Sequence, residues 1–578
     1  MTSASPVGAP LVTEMPAPAA RASGLTVRVD MLLWLGIIAA GAALRLARLD
    51  ALPLTFDESA RAFDSLRVSH NSVPDGWNGG LAAALTSYLF RIFGDSEFVA
   101  RVVPAVAGSA TVAAVWFSGR ALGRAGALAA AALVAFSPLA LLLSHAAAPF
   151  ILGGFLAVVM TASLFSYLRE PRALTAFLFA IAFGLAPSTD AVATTAAIAV
   201  VAFFFLEPVL SDDSAVARAW GVFRRSPSHW LSVALVLAAA LELGFTHFGT
   251  SVDRLGLAGL TQWGEMFGLP RDSRAPEYQM ALLLAYDWPI LLAGGLAAVV
   301  LVRRLIGRGA AALTPLQRFV LLWAALATLA VALATQREAG QLLILLLPLA
   351  LLGGLLAEEL IQALDWSVLR RWWPAVAVML ALLAGAALIT TEWANAGVSR
   401  AERFYLVLAL GGAATVLVAS YSLLARNVAV LGVTVVGILA FAFLAHTALS
   451  ITGDDDAAEF AVDIRTTDRI GQFHETVGGL VATRPGPILV DPGLGQPLSW
   501  YLRDLPVTFA SPSEEASAVV VPAGEEVDGF VPLGEAWRLG QGWYPADFDL
   551  LSLWRWLVYR ESYGNLDPVD AQILVPAP

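Results

Sequence analysis

The sequence contains no cysteine and no lysine, and only 14% of its 578 residues are charged. Without cysteine the chain has no disulfide, no catalytic thiol and no thiolate ligand for zinc. All 35 basic residues are arginine, a bias over the whole chain that we ascribe to coding composition rather than to any site. The net charge of −11 gives no support to nucleic-acid binding, because phosphate neutralisation needs clustered basic residues.

Apolar residues make up 58% of the chain, and the mean hydropathy is +0.72. A soluble globular protein typically carries about 25% charged residues, so this composition indicates a multispanning membrane protein. About thirteen apolar runs are long enough to cross a hydrocarbon core of roughly 30 Å. These runs are residues 30–48, 98–119, 125–143, 149–168, 173–188, 190–207, 229–248, 279–302, 317–334, 341–361, 374–391, 403–424 and 428–450.

Residues 1–28 are rich in proline, alanine, serine and threonine, and they lack the ordered regions of a signal peptide. We expect them to form a disordered cytoplasmic tail. An odd number of spans then sends the carboxyl end outside the cytoplasm. The arginine bias agrees with this orientation, since the segments predicted to lie inside hold more arginine than the outer loops. The sequence therefore predicts a multi-pass protein of the cell membrane.

The chain divides into a transmembrane domain at residues 29–452 and a domain of soluble composition at residues 453–578. The first outer loop, residues 49–97, is expected to hold a short helix at 57–67 and an interfacial helix at 81–93. Strand-like and helix-like runs alternate in the second domain, which predicts a small extracytoplasmic α/β domain. The strand-like runs are Phe460–Ile464, Pro487–Val490, Pro506–Phe509 and Ala518–Val521, and the helix-like runs are Arg469–Val481 and Gln496–Leu502.

Two adjacent carboxylates, Asp57 and Glu58, follow the first span and are the candidate catalytic residues. Thr55 and Glu58 have the spacing of a capping box, so Glu58 has a structural interpretation as well as a catalytic one. Asp57 is not required by the box. At positions i+4 and i+7 it shares a helix face with Arg61 and Asp64, which we take as candidate substrate-binding residues.

Two further outer turns carry candidate substrate-binding residues. His145 lies between the third and fourth spans, where it has either a ligand-binding or a structural role. The six histidines form no paired ligand motif for a metal. The cofactor stays unknown, and a divalent cation is left open. Arg337 is placed to bind a phosphate with its guanidinium fork, or else to pair with Glu338.

Glu242 and Asp287 are ionisable residues within predicted spans. Such residues are functional candidates by default, and they would also suit a transporter.

Several motifs of the first third occur in an order that resembles the GT-C membrane glycosyltransferases, including the protein O-mannosyltransferase and aminoarabinose-transferase group. They are Arg45, Pro53–Ser59, Leu89–Gly94, Glu97, Arg101 and Ala135–Pro138. The stretches Pro497–Asp504 and Trp554–Glu561 are similar to the tail of a prokaryotic subgroup. That subgroup is labelled flippase-activity-associated and is linked to archaeal-type N-glycosylation.

The resemblance implies a GT-C-like fold and a sugar donor carried on polyprenyl phosphate. It assigns Asp57 the role of base toward the acceptor, and it assigns Arg337, ahead of Pro348, the donor phosphate. Two stretches depart from the family pattern, at Asn78–Gly80 and at Ser144–Phe150, where a second acidic residue and two arginines are absent.

The expected function is transfer of a sugar to a protein, lipid or glycan acceptor on the extracytoplasmic face of the bilayer. The departures keep open an alternative, a non-catalytic lipid-linked sugar transporter or an assembly partner of a glycosylation pathway.

Overall fold

The computed structural model describes residues 29–72, 80–211, 214–245, 257–269, 277–396, 412, 428–453, 459–543, 550–564 and 566–578. Nineteen helices precede the soluble domain within these residues. They are α1 Val29–Leu46, α2 Phe56–Ser69, α3 Gly80–Phe93, α4 Glu97–Val115, α5 Gly119–Leu122, α6 Arg124–Ala135, α7 Pro138–His145, α8 Phe150–Arg169, α9 Ala173–Leu185, α10 Ala191–Leu210, α11 Ala215–Arg225, α12 Pro227–Phe245, α13 Ala258–Glu265, α14 Glu277–Tyr286, α15 Trp288–Arg308, α16 Pro315–Leu333, α17 Leu343–Ala363, α18 Ser367–Ala396 and α19 Val428–Gly453.

Among the described residues, 9 helices are long and apolar enough to cross a membrane, and the number is 11 if two bent helix pairs each count as one span. The predicted run at 173–188 is a shorter apolar helix, and the run at 403–424 lies outside the described residues except for Gly412. The count of thirteen therefore stays a prediction. The chain is a multi-pass membrane protein.

The ends of α1 and α19 meet on one face of the membrane domain. Arg48, just after α1, donates from Nη1 to the carbonyl of Gly453 at 2.9 Å. At the other end of α1, Asp30 lies 3.8 Å from the Arg124 guanidinium. Both helices therefore run toward the same face, and an odd number of crossings separates residue 29 from residue 453.

One span is broken between α6 and α7, which meet at an angle of 53°. Pro138 starts α7, and since proline has no N–H, the regular helical ladder is interrupted there. Arg45 from α1 takes the freed carbonyls, with Nη1 donating to Ala135 at 2.8 Å and Nη2 to Val134 at 2.9 Å. Backbone groups at membrane depth need such partners, so Arg45 is a structural residue of the bend.

The opposite side of the same break is held by Asp287, which is fully buried. Its Oδ2 accepts from the Ser137 hydroxyl at 3.1 Å and from the Leu139 N–H at 3.3 Å. The carboxylate thus caps the first turn of α7, where the free N–H groups of a helix attract negative charge. Asp287, a functional candidate in the sequence, thus stabilises the start of α7.

A seven-stranded sheet forms the soluble domain, with strand order β1-β6-β7-β4-β2-β3 and β5 paired to β7. The pairs β2–β3 and β2–β4 are parallel, and the other pairs are antiparallel. The elements are β1 Ile464–Thr466, α20 Ile470–Thr483, β2 Ile488–Val490, α21 Gly495–Tyr501, β3 Val507–Phe509, β4 Ala518–Pro522, β5 Phe530–Pro532, β6 Trp537–Trp543, α22 Leu550–Tyr559 and β7 Leu566–Pro576.

The first predicted strand of this domain is misplaced. Residues 460–463 are not extended in the sheet, and β1 begins at Ile464. The Phe460 ring instead stacks on Trp543 at a centroid distance of 4.3 Å and lies against Trp556 at 4.2 Å. Aromatic packing of this kind buries a large apolar area, and it accounts for the position of Phe460 outside the sheet ladder.

Candidate active site

A cavity of about 460 Å³ lies where the membrane domain meets the soluble domain. Its membrane-domain wall contains Asp57 and Arg61 from α2 and His145 from the end of α7. A turn that leads into α17 adds residues 338–340, and β1 and β6 form the facing wall. Four of the six site residues predicted from the sequence therefore line the cavity, namely Asp57, Glu58, Arg61 and His145.

The first turn of α2 fixes the direction of Asp57. Thr55 and Glu58 form both hydrogen bonds of the capping box, so the helix starts at Phe56 as the sequence pattern predicts. Asp57 is exposed to the cavity, and Arg61 follows it one turn later on the same face. Neither side chain has a hydrogen bond or ion pair with any residue that the structure describes. Both are free to bind a ligand.

Glu58 is in the opposite situation, since its side chain is only 4% exposed and every acceptor position is used. Oε1 accepts from Arg101 Nε at 2.9 Å and from the Ala147 N–H at 2.7 Å. Oε2 accepts from Arg101 Nη2 at 2.9 Å and from the Thr55 N–H at 2.9 Å. Of the two adjacent carboxylates, Asp57 is the one directed at the cavity.

Arg101 connects Glu58 to the backbone of the first loop. Its Nη1 donates to the carbonyls of Leu49 at 2.8 Å and Leu52 at 2.7 Å, so one side chain ties α4 to the loop and to α2. Burial alone would raise the pKa of the Glu58 carboxyl, but the guanidinium and two backbone N–H groups outweigh it. The pKa of Glu58 therefore lies below its ordinary value.

The soluble domain holds the residues just before Asp57. The Leu54 N–H donates to the Tyr501 hydroxyl at 2.7 Å, and the Leu54 carbonyl accepts from the Thr466 hydroxyl at 2.6 Å. The same Tyr501 hydroxyl donates to Glu97 at 2.8 Å. Burial and the Glu97 carboxylate raise the pKa of Tyr501, which keeps the phenol protonated as a donor.

Phe56 extends this attachment into the core of the soluble domain. Its ring is 7% exposed and packs among the buried residues of that domain rather than those of the membrane helices. Gly540 of β6 permits the approach, because a Cβ at this position would lie 2.5 Å from Phe56 Cε1. The residues on either side of Thr55 are therefore fixed by the soluble domain.

His145 lines the cavity but is partly committed to the fold. Its Nε2 lies 2.8 Å from the Leu44 carbonyl, and because a carbonyl only accepts, this ring nitrogen carries the proton. In the neutral ring Nδ1 is then an acceptor. The histidine can orient a ligand hydroxyl, while it also fixes the end of α1 to α7.

The remaining predicted residues lie outside the cavity lining. Arg337 is half-buried and directly precedes the lining residues 338–340. Asp64 is half-buried on α2, where burial raises its pKa. Glu242 is exposed on α12.

No group of three or more histidine and acidic side chains is arranged to hold a metal ion in the part of the chain that the structure describes.

The sequence-based reading missed the polar residues that the soluble domain contributes to the cavity, among them Arg465, Gln496 and Gln541. Gln541 lies in β6, whose glycines gave no strand pattern. Gln496 lies in a predicted helix. Its neighbours in the sequence gave no sign that it would line a cavity together with the first loop, which lies more than 400 positions earlier.

The family model for dolichyl-phosphate-mannose-protein mannosyltransferases matches residues 80–239. This range runs from α3 into α12. Asp57 lies ahead of the matched range, so the match does not test its role. No curated protein matched the sequence.

Three solved structures are similar to this one. ArnT from Cupriavidus metallidurans, bound to undecaprenyl phosphate, is 16% identical with a TM-score of 0.48, over 84% of this chain and 86% of that chain. The archaeal oligosaccharyltransferase AglB from Archaeoglobus fulgidus, in complex with an inhibitory peptide and a dolichol-phosphate, is 12% identical with a TM-score of 0.45, over 85% and 69%. The protein O-mannosyltransferase complex Pmt1-Pmt2 of S. cerevisiae, bound to the sugar donor, is 16% identical with a TM-score of 0.31, over 44% and 37%.

The family match falls within the membrane domain and begins inside the first outer loop. It includes the motifs from Leu89 to Pro138, whereas Arg45 and Pro53–Ser59 precede it. The helical membrane domain and the sheet of the soluble domain agree with the predicted fold class. Over residues 80–239 the chain is similar to the dolichyl-phosphate-mannose-protein mannosyltransferase family.

Proposed function

We propose that this protein transfers a sugar from a polyprenyl-phosphate donor to an acceptor, with Asp57 as general base. The observation that supports this proposal is the cavity itself. It places a carboxylate and a guanidinium, neither of which has a partner among the described residues, one helical turn apart on α2 at the boundary between the membrane helices and a soluble domain. A lipid-linked substrate presents its phosphate and sugar at this level.

The reaction needs one proton transfer and one leaving group. An acceptor hydroxyl or amide attacks the anomeric carbon, the bond from that carbon to the phosphate oxygen breaks, and polyprenyl phosphate leaves as an anion. Asp57 takes the acceptor's proton as the new bond forms. The acceptor attacks the face opposite the leaving phosphate, so the anomeric configuration is inverted. Phosphate is already a good leaving group, so the mechanism requires no general acid.

Arg61 is the cavity residue best suited to the phosphate, because a guanidinium binds two phosphate oxygens in one plane. Arg337 stands beside the lining turn at 338–340 and is our second candidate for this role. Negative charge develops on the phosphate as its bond to the sugar breaks, so a guanidinium stabilises the transition state more than the bound donor. A guanidinium beside the base therefore serves both donor binding and catalysis.

We place the cavity on the extracytoplasmic side. The cavity lies at the ends of α1 and α19, whereas Arg124 and Arg172 lie on the opposite face near Asp30 and Glu170. Arginines are enriched on the cytoplasmic side of membrane proteins. With the amino terminus inside, the soluble domain lies outside.

The test uses the full chain in nanodiscs with radiolabelled polyprenyl-phosphate sugars and candidate peptide, lipid and glycan acceptors. Asp57→Asn should bind the donor as the wild type does and lower the transfer rate by about 10²- to 10⁴-fold. Asp528→Asn, an exposed change in the soluble domain away from the cavity, is the matched control. Undiminished transfer by Asp57→Asn would exclude its role as base.

The same preparation distinguishes the second candidate function. The absence of an acidic residue after α7, where the family pattern has one, favours a protein that binds the lipid-linked sugar without transferring it. Vesicles that move a labelled lipid-linked sugar between leaflets, without transfer to any acceptor, would support that transporter.

A further inference from the structure

Two walls of different origin face each other across the cavity. The membrane domain contributes Asp57 and Arg61, and the soluble domain contributes Arg465, Gln496 and Gln541. The first pair accounts for the base and the phosphate site of the proposed reaction. The second wall has no part in that chemistry, although it is polar and opens onto the same space.

The register of the sheet sets two of these residues side by side. In the antiparallel pair β1–β6, Arg465 is directly opposite Gln541. Directly opposed residues project from the same face of a sheet with Cβ atoms roughly 5 Å apart. The next pair in the ladder, Thr466 and Gly540, belongs to the attachment of the first loop. The attachment therefore fixes the distance between the two walls.

The two glutamines are available to a ligand. The side chains of Gln496 and Gln541 have no hydrogen bond to any residue within the described ranges, whereas the Glu58 carboxylate has four. A glutamine amide offers two donor hydrogens and one acceptor oxygen. Hydroxyl groups both donate and accept, so they are matched by such amides. Phosphate oxygens accept only and are matched by arginine.

We propose that Gln496 and Gln541, with Arg465 beside Gln541, bind the hydroxyl groups of the donor sugar and select which sugar is transferred. The inference rests on the proposed function. A polyprenyl chain enters from the bilayer, so its phosphate meets the membrane-domain wall at Arg61. The sugar, attached directly to that phosphate, then extends toward the soluble domain and fills the space in front of the two amides.

The experiment compares the binding of two lipids to the full-length protein in nanodiscs. One probe is polyprenyl phosphate without a sugar, and the other is a set of polyprenyl-phosphate hexoses that includes mannose, glucose, galactose and N-acetylglucosamine. The double variant Q496L/Q541L keeps the side-chain size and removes the amide groups. We expect about tenfold weaker binding of the preferred sugar lipid, from the loss of two neutral hydrogen bonds, and unchanged binding of the bare phosphate lipid.

Gln472→Leu provides the control, because Gln472 is an exposed glutamine on α20 that does not line the cavity. A second readout uses deoxy analogues of the preferred sugar. If the amides bind the missing hydroxyl, the wild type discriminates against the analogue and the double variant does not.

Equal weakening of both lipids would overturn the inference, since that pattern means the variant has lost the shape of the cavity. Unchanged donor binding with a raised KM for the acceptor would overturn it in favour of acceptor recognition. If the wild type binds the sugar lipid no better than Q496L/Q541L does, the inference is wrong but the proposed function stands. A wild type that binds neither lipid contradicts the proposed function as well.

Discussion

Asp57 and Glu58 are adjacent in the sequence, but a helix turns successive side chains about 100° apart. That rotation sends one carboxylate into the cavity and the other against Arg101. Glu58 holds the loop in place, and Asp57 is the carboxylate that stays open to the cavity. The division of labour between the two acids follows from the cap at Thr55, which sets where the rotation starts.

Replacing Glu58 by glutamine should destabilise the protein. The buried Arg101 guanidinium would lose its counter-charge, and breaking a buried ion pair in this way typically costs on the order of 3 kcal/mol. The expected result is a clearly lowered unfolding temperature in detergent, together with weaker protection of the amides at 49–58 from hydrogen exchange. Glu561→Gln, in an exposed ion pair with Arg555, should leave both measurements nearly unchanged.

The same pair predicts a dependence on acid. The folded pKa of Glu58 lies below the ordinary value of 4.5, so its contribution to stability is present above that value and is lost as the pH falls through the folded pKa. Between pH 6 and the onset of acid unfolding, the gap in unfolding temperature between wild type and Glu58→Gln should close as the pH falls. A constant gap would show that the charge of Glu58 does not contribute.

The sequence predicted the capping box, because it depends on spacing within one helical turn. It did not predict that Arg101 pairs with Glu58, since the partner lies 43 positions away on another helix. For the same reason Arg45 was recognised only as part of a family motif. Its role at the bend depends on carbonyls 89 and 90 positions later.

The attachment between α2 and the soluble domain depends on the absence of a side chain at one position of β6. Gly540→Val should push the Phe56 ring away, because added volume in a packed core typically costs about 1–3 kcal/mol. We expect faster hydrogen exchange at residues 54–61 and a reduced transfer rate, with donor binding less affected than catalysis.

Gly471→Val is the matched control for that change. Gly471 lies on α20 with no atom near the position of an added Cβ, so the substitution should leave exchange and transfer unaltered. Normal exchange at 54–61 in Gly540→Val would mean that the soluble domain does not fix the loop.

Elements with clean periodicity were predicted well and irregular ones were not. The helices at 56–69 and 80–93 and the strands β2 and β4 match the expected runs closely. Strand β6 contains Gly540 and Gly542, and β7 contains Pro568, which disguise both strands. Each is nevertheless central to the sheet, because pairing with neighbouring strands decides their conformation.

The absence of native cysteine gives the whole molecule a clean test of orientation. Ser511→Cys on the soluble domain should react with an impermeant maleimide added to intact cells. Ser367→Cys, at the start of α18, should react only after permeabilisation, since α17 carries the chain from the cavity turn to the opposite face. Both serines are exposed, and the wild type provides an unlabelled background.

Labelling of both cysteines in intact cells, or of Ser367→Cys alone, would contradict the proposed orientation. The parity of crossings, in contrast, follows from the Arg48 contact with Gly453 and does not depend on which face is outside. Composition was enough to predict a multi-pass membrane protein. It was not enough to give the number of spans, since length and hydropathy do not distinguish a bent span from two short helices.

Leu54 and Phe56 leave the ribosome early, whereas Tyr501, which binds Leu54, follows 447 positions later. The nascent chain therefore inserts its membrane helices before the pieces that hold its reactive loop have been made. A protein truncated ahead of β6 would contain its membrane helices but would lack the contact of Phe56 with β6. The attachment of this loop is therefore complete only after the soluble domain has been synthesised.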